Sequence, residues 1–292
     1  MARREHQRIV TWLPPLSPSF VLLGLFVVGP ILWCFYAAFT NTAMSGVAAR
    51  NPRFVGLENF ANIVSGTDVG ASLWLTVLFV LGSAVVGQNG LGMLLAVFMQ
   101  RRGRLLRGVV SSIVVAAWVL PEVVAAFAVY AFLNSQGTLN EVLSALGLGQ
   151  QNWLYTAPMF AIILANVWRG TAFSMLVYQA ALSEVPGDLT EAAEVDGAGP
   201  VSRFWHVVLP TIRRTVVTNL MLITLQTIGL FGLIYVLTAG GPDNKTRTLP
   251  LLMYEQAFKF GQIGYGTAIA LVLLVLGAAF SMVYIRSLRA EV

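Results

Sequence analysis

The sequence predicts an all-α, polytopic membrane protein with six transmembrane helices and both termini in the cytoplasm. Three observations predict it. Of 292 residues, 57% are hydrophobic and only 11% are charged, where a soluble domain carries roughly 25% charged residues. Charge that scarce cannot coat a water-facing surface, and the mean hydropathy of +0.75 points the same way; a soluble enzyme is all but excluded. Six apolar stretches are long enough to cross a hydrocarbon core, which takes roughly 20 helical residues. They run over 16–40, 70–99, 108–133, 157–181, 215–238 and 264–284. The basic residues, finally, are segregated between alternate connections.

Taken in order, the first stretch follows Arg3, Arg4 and Arg8 as a signal peptide would. It is longer than a signal h-region and has no clear small-residue cleavage site, so it reads as a mature helix. Arg101, Arg102, Arg104 and Arg107 lie between the second and third stretches. Arg203, Arg213 and Arg214 lie between the fourth and fifth, and Arg286 and Arg289 follow the sixth. Twelve of the eighteen basic residues thus fall on one side; Arg50, Arg53, Lys245, Arg247 and Lys259 fall on the other, and Arg169 is within a span. The positive-inside rule makes the richer side cytoplasmic. The net charge of +5 therefore marks cytoplasmic loops and not a nucleic-acid surface. Trp12, Trp74 and Trp153 sit near span ends, where interfacial aromatics belong.

The outer connections 41–69, 134–156 and 239–263 are short, with Gly149-Gln150-Gln151-Asn152 and Gly240-Gly241-Pro242-Asp243 as turns. Cys34 is the only cysteine, and His6 and His206 are far apart, so neither an intramolecular disulfide nor a metal cluster is expected. No soluble domain, low-complexity segment or obvious repeat interrupts the pattern. The chain divides into an N-terminal segment with the first helix and outer loop (1–69), a transmembrane core (70–284) and a tail (285–292).

The cytoplasmic connection 182–214 is the informative one. Pro186-Gly187 breaks the fourth helix. Asp188 and Glu191 have capping-box spacing, which predicts a short helix over 189–195. Asp196-Gly197 ends it, and Pro200 opens a second short helix at a position where a missing N–H costs nothing. There Val201, Phe204, Trp205 and Val208 recur at i, i+3, i+4 and i+7 and form one apolar face. That face has two places to go: the protein's own helix ends and the lipid interface, or a cytoplasmic partner.

Glu191-Ala192-Ala193, then Asp196-Gly197-Ala198, then Phe204, then Leu209-Pro210 resembles the EAA loop of ABC-importer permeases. Along the chain, Phe54-Val55-Gly56-Leu57-Glu58-Asn59-Phe60, Leu120-Pro121, Asn152-Trp153-Leu154, Val236-Leu237-Thr238 with Gly240-Gly241-Pro242, Tyr254, Ala257-Phe258 and Gly264-Tyr265-Gly266 resemble the carbohydrate-uptake branch. The Gly-Gly-Pro element resembles the maltose-type and glycerol-3-phosphate-type first subunit. The resemblance implies the transmembrane domain of a type I ABC importer in the cell membrane. It implies a second permease subunit in a pseudo-symmetric heterodimer, two ATPase subunits, an extracellular solute-binding protein and a sugar substrate. It implies that Glu191, Ala192, Ala193, Asp196, Gly197, Phe204 and Trp205 form the coupling surface, Glu191 meeting a basic ATPase residue. No Gly-x-x-x-x-Gly-Lys-Ser/Thr is present, so ATP and magnesium are expected on the partner ATPase and no cofactor on this chain. One departure from the enterobacterial maltose permease is the expectation of six spans only, without its extra N-terminal helices and large outer domain.

Polar groups at mid-membrane are expensive and face a cavity or a partner. Glu122, Asn166, Arg169, Gln226 and Thr227 lie at that depth. Asn166, Gly170 and Phe173 are spaced four and three apart and share a helical face. An amide, a bare backbone patch and an aromatic ring suit a sugar, and the resemblance carries a substrate role to these three and to Gln226 and Thr227. The other reading makes Asn166 and Gln226 interhelical hydrogen-bond partners worth about 1 kcal/mol each, and Gly170 a packing point. Glu122 and Arg169 are expected to pair with one another. Gln88 and Asn89 either pack or line the cavity between permeases, and Gly82, Gly87, Gly90 and Gly92 read as helix packing. A self-sufficient secondary transporter would need coupling-ion carboxylates, of which only Glu122 is available. An intramembrane enzyme has no His/Asp/Glu constellation to build on. Within ABC importers, a glycerophosphodiester, an amino acid or another polar solute is the alternative, and a glycerophosphodiester would call on Arg169, the only intramembrane cation.

Overall fold

The computed structural model describes residues 17–100 and 102–289, and among these the protein is helical with no strand. The expected positions Arg3, Arg4, His6, Arg8, Trp12, residue 16 and Arg101 lie outside the described residues, as do residues 290–292 and the side chain of Arg289. The described residues group into two units, one drawn from 1–67 and 253–272 and the other from 68–252 and 273–292.

In the first unit, helix α1 (Ser17–Ala38) is apolar and exposed nearly along its length, as a lipid-facing helix is. Its last carbonyls have no intrahelical partners. Asn59 supplies them: its amide nitrogen donates to Ala38 O and Thr40 O, each at 2.9 Å. Thr40 pairs with Phe54 in a single antiparallel bridge, and the Phe39 ring lies 6.3 Å from Phe54 and 5.2 Å from Phe60. The Phe54–Phe60 sequence motif is thus the cap of the first span.

In the second unit, helix α2 (Thr67–Gln100) packs along helix α5 (Pro158–Ser183). Between Leu81 and Gln88 α2 is wound as a π-helix. Wider π turns bring residues spaced by five close to one face, and Gly82 and Gly87 have that spacing within the segment; Gly92 follows in ordinary α-helix. A Cβ on Gly87 would come within 2.2 Å of Val167 Cγ2, and one on Gly92 within 2.5 Å of Ser174 Cβ. A side chain at either glycine would thus collide with α5, so both let the two helices approach closely. Gly90 faces open space instead and takes no part in the contact.

Two expected spans are each broken. The third is helix α3 (Arg104–Val119) followed by helix α4 (Glu122–Leu133), the start of a stretch to Ala145 that is bent by 109° from α3. Pro121 has no N–H to donate and forces the residue before it out of the helical region; Leu120 is extended, with ψ 135°. The fifth is interrupted at residues 229–231, between helix α7 (Arg213–Ile228) and helix α8 (Gly232–Thr238); helix α6 (Gly187–Val195) lies before it in the loop. The last span is helix α9 (Ile263–Arg289). Four helices among the described residues are long and apolar enough to span alone; counting α3 with the stretch Glu122–Ala145, and Pro200–Thr211 with α7 across a 73° bend, as one span each gives up to six. A core of Phe79, Leu133, Ile162, Leu233, Ile234 and Leu251 holds α2, α4, α5 and α8 together.

Candidate functional site: a cavity at two helix breaks

The breaks at 120–121 and 229–231 border one cavity of about 260 Å³ in the second unit. Asn166, Gly170 and Phe173 line it from α5, and Gln226 and Thr227 from α7, so all five expected substrate positions meet there. Gln88, Trp118, Glu122 and Arg169 complete the polar and aromatic wall. Trp118 and Phe173 stand with ring centroids 5.9 Å apart, tilted by 38°. Phe173 is held from behind by Val80, Ala84, Ile223 and Ile228. Trp118 is absent from the residues the sequence pointed to. Its signal was its place two residues before Leu120-Pro121 at mid-depth.

The polar groups are partly spent on the fold. Asn166 Nδ2 donates to Ser83 Oγ at 2.9 Å, and Ser83 donates on to Phe79 O at 2.6 Å. One end of Asn166 is therefore an interhelical tie, and its carbonyl oxygen has no hydrogen bond among the described residues. Gly170 does not leave the open depression that a sugar could enter. A Cβ there would lie 2.3 Å from Gln88 Cδ and Oε1, so the amide of Gln88 already fills the space. Gln88 Nε2 donates to the backbone oxygen of Asn166 at 3.2 Å. Gly170 thus admits Gln88, and Gln88 presents the polar surface.

The expected Glu122–Arg169 ion pair does not form. Arg169 Nε donates instead to Leu120 O at 3.3 Å. The physical reason is the break: an interrupted helix leaves carbonyls without amide partners, and the guanidinium nearest to one satisfies it. Glu122 is in the first turn of α4, where the helix dipole favours a negative group. Its carboxylate borders Gly232, whose missing Cβ would lie 3.0 Å from Oε2.

Beneath the cavity, α2, α5 and α7 are tied by a buried polar cluster. Asn219 Nδ2 donates to Asn89 Oδ1 at 2.9 Å, Ser174 Oγ at 3.0 Å and Tyr178 Oη at 3.0 Å, and Tyr178 donates to Asn89. The other amide atom, Asn219 Oδ1, is buried without a partner.

The loop that follows α5 differs in detail from expectation. The capping box is not formed: α6 begins at Gly187, so Asp188 lies inside the first turn and makes no side-chain cap. Pro186, at ψ 130°, sets that start. At the other end Ala198 N donates to Ala193 O and Gly197 N to Glu194 O, a Schellman ending. It needs a left-handed residue, and Gly197 has φ +82°. Glu191, Ala192 and Asp196 are exposed, with Ala193 half-buried. Arg203 pairs with Glu194 and joins the two short helices. Phe204 and Trp205 meet edge-on at 5.7 Å, and Trp205 is 59% exposed. With Val201 and Val208 they line an open groove of about 770 Å³ against Val97, Phe98 and Arg102 at the end of α2.

Residues 88–288 match the family described as the binding-protein-dependent transport system inner membrane component. The chain belongs to that family. It is a multi-pass component of the cytoplasmic membrane and a permease subunit of an ABC importer. It is 33% identical to the trehalose/maltose transport system permease protein MalF of Thermococcus litoralis, over 92% of this chain and 90% of that one. It is 30% identical to the sulfoquinovosyl glycerol transport system permease protein SmoG of Agrobacterium fabrum, over 94% and 89%. Among solved structures, it superposes on a chain of a bacterial ABC transporter that imports the acidic polysaccharide alginate. The TM-score is 0.80 at 22% identity, with 98% of each chain covered. That likeness is one of fold: the type I ABC importer transmembrane domain.

Proposed function

We propose that this permease carries a sugar or sugar derivative inward, with both termini in the cytoplasm and the 260 Å³ cavity as its substrate site. ATP hydrolysis belongs to a separate ATPase, two copies of which dock below the permease pair; this chain's docking surface is the 182–214 loop, through Glu191, Ala192, Ala193, Asp196, Gly197, Phe204 and Trp205. A second permease completes the pathway, and an extracellular solute-binding protein delivers the solute. The solutes in the relatives' names agree with this reading.

The observation that carries the proposal is the wall of the cavity. The tilted Trp118–Phe173 pair offers an apolar ring face. Gln88, the free oxygen of Asn166, Gln226 and Thr227 surround it with hydroxyl-sized partners. Pockets of roughly 300–1,000 Å³ bury drug-sized ligands; a cavity just below that range suits about one sugar ring at a time. Movement reaches it directly, because α5 leads into the loop and α7 leads out of it. Displacement of the loop by closing ATPases is thus passed to Asn166–Phe173 and to Gln226–Thr227.

The test is uptake by the assembled importer in proteoliposomes. Joint replacement Trp118→Ala and Phe173→Ala is expected to abolish uptake of the cognate sugar while binding-protein-stimulated ATP hydrolysis persists. Unchanged uptake would remove the cavity from the pathway.

A further inference from the structure

The cavity holds two charged side chains, Glu122 and Arg169, and no other charged residue lines it. They do not cancel by pairing. Arg169 is anchored at Nε by Leu120 O, and its terminal nitrogens have no partner among the described residues. A guanidinium has five N–H donors and no acceptor; an ionised carboxylate only accepts. Glu122 is fixed in the first turn of α4, and Gly232 opposite it has no side chain to screen it.

We infer that Glu122 is a specificity-determining charge filter: the cavity takes an uncharged sugar ring and turns away an acidic one. The inference rests on the reading of this cavity as the sugar site. A hydroxyl donates and accepts at once. A neutral ring can therefore take hydrogen bonds from Arg169 and give them to Glu122 and to the free oxygen of Asn166, which leaves neither charge unpaired. A ring that carries a carboxylate finds one cation, but it also places its charge in the same small cavity as Glu122. Away from bulk water, repulsion between like charges is screened much less. It offsets the attraction of Arg169.

The experiment compares methyl α-glucoside with methyl α-glucuronide, which differ only in a hydroxymethyl group and a carboxylate. Binding to the purified full chain in lipid nanodiscs is read by saturation-transfer NMR titration. The wild type and Glu122→Asp are expected to favour the glucoside by about tenfold or more, the order of effect of one nearby like charge in a partly desolvated site. In Glu122→Gln that ratio is expected to fall to about one or to reverse, since Arg169 is then unopposed. Equal or tighter glucuronide binding by the wild type overturns the filter and leaves the sugar site standing. An unchanged ratio in Glu122→Gln does the same, because the selectivity then comes from elsewhere. No binding of either probe, by wild type or variants, overturns the sugar-site reading and the filter with it.

Discussion

The close fit between Gly170 and Gln88 gives a prediction with a calculable size. Any side chain at position 170 places its Cβ 2.3 Å from the Gln88 amide, well inside contact distance. Gln88, only 4% exposed, must then give up its place against α5 and turn into the cavity it borders. Overpacking a close-fitted interior costs about 1–3 kcal/mol. Loss of the Gln88 hydrogen bond to Asn166 O, 3.2 Å long, adds about 1 kcal/mol. Gly170→Ala should therefore destabilise the protein by about 2–4 kcal/mol. The double variant Gly170→Ala with Gln88→Ala removes the clash, and its cost should fall well below the sum of the single variants. The coupling is expected at about 1–3 kcal/mol, as for residues in direct contact. The assay is survival of monodisperse protein after heating in detergent, for wild type, both single variants and the double. A Gly170→Ala protein as stable as wild type would refute the packing, and so would strictly additive single variants. Gly170→Leu, which a sugar-lined depression would tolerate in an assembled complex, is here expected to lose the complex as well as uptake.

Three further outcomes are expected. Glu191→Lys should leave the protein inserted but lower uptake and co-purification of the ATPase together, because it reverses an exposed charge on the proposed docking loop; normal uptake would remove this carboxylate from the interface. Trp205, 59% exposed in this chain, should become protected from acrylamide quenching when the ATPase binds, in a variant that keeps it as the sole tryptophan of the chain; unchanged quenching would place the partner elsewhere. Asn219→Leu leaves Asn89, Ser174 and Tyr178 without their shared donor and should cost about 1–3 kcal/mol in the same heating assay, with Asn219→Asp not restoring it, since a carboxylate cannot donate; wild-type stability of Asn219→Leu would show the cluster to be energetically idle.

The spans were legible because hydropathy integrates over some twenty residues, and such sums survive local irregularity. The breaks within them were not. Leu120-Pro121 was visible as a motif, yet apolar residues continue on both sides, and hydropathy does not register a 109° bend. The five positions Asn166, Gly170, Phe173, Gln226 and Thr227 were found by depth and helical spacing, and they do share a cavity. What they do there depends on neighbours remote in sequence. Gln88 is 82 positions before Gly170 and fills it; Ser83 is 83 before Asn166 and takes half its amide. The Glu122–Arg169 pairing failed for a related reason, since a freed main-chain carbonyl competes for the guanidinium and leaves no trace in side-chain identity. The π winding over 81–88 was not legible either: Gly82 and Gly87, five apart, fall within it, and a 3.6-residue period does not read that spacing.

The position of the cavity follows from hydrogen-bond accounting in the backbone. Within a bilayer an unsatisfied N–H or C=O costs several kcal/mol, so irregular chain is tolerated only where protein or a water-filled space covers it. This chain breaks two of its helices, at 120–121 and at 229–231. Both breaks border the same cavity, and Glu122 at one of them touches the space above Gly232 at the other. The groups freed by the first break are served there: Leu120 O by Arg169, and the start of α4 by the acidic first turn of Glu122. A continuous third span would have no freed carbonyl to hold Arg169. It would also carry Trp118 and Glu122 four residues apart along one straight face, in place of presenting them across a bend to α5 and α7. The bend is thus what turns an aromatic, a carboxylate and a guanidinium into one wall. Because α5 and α7 both continue into the loop at 182–214, the wall is built on the two helices that a docked partner can move.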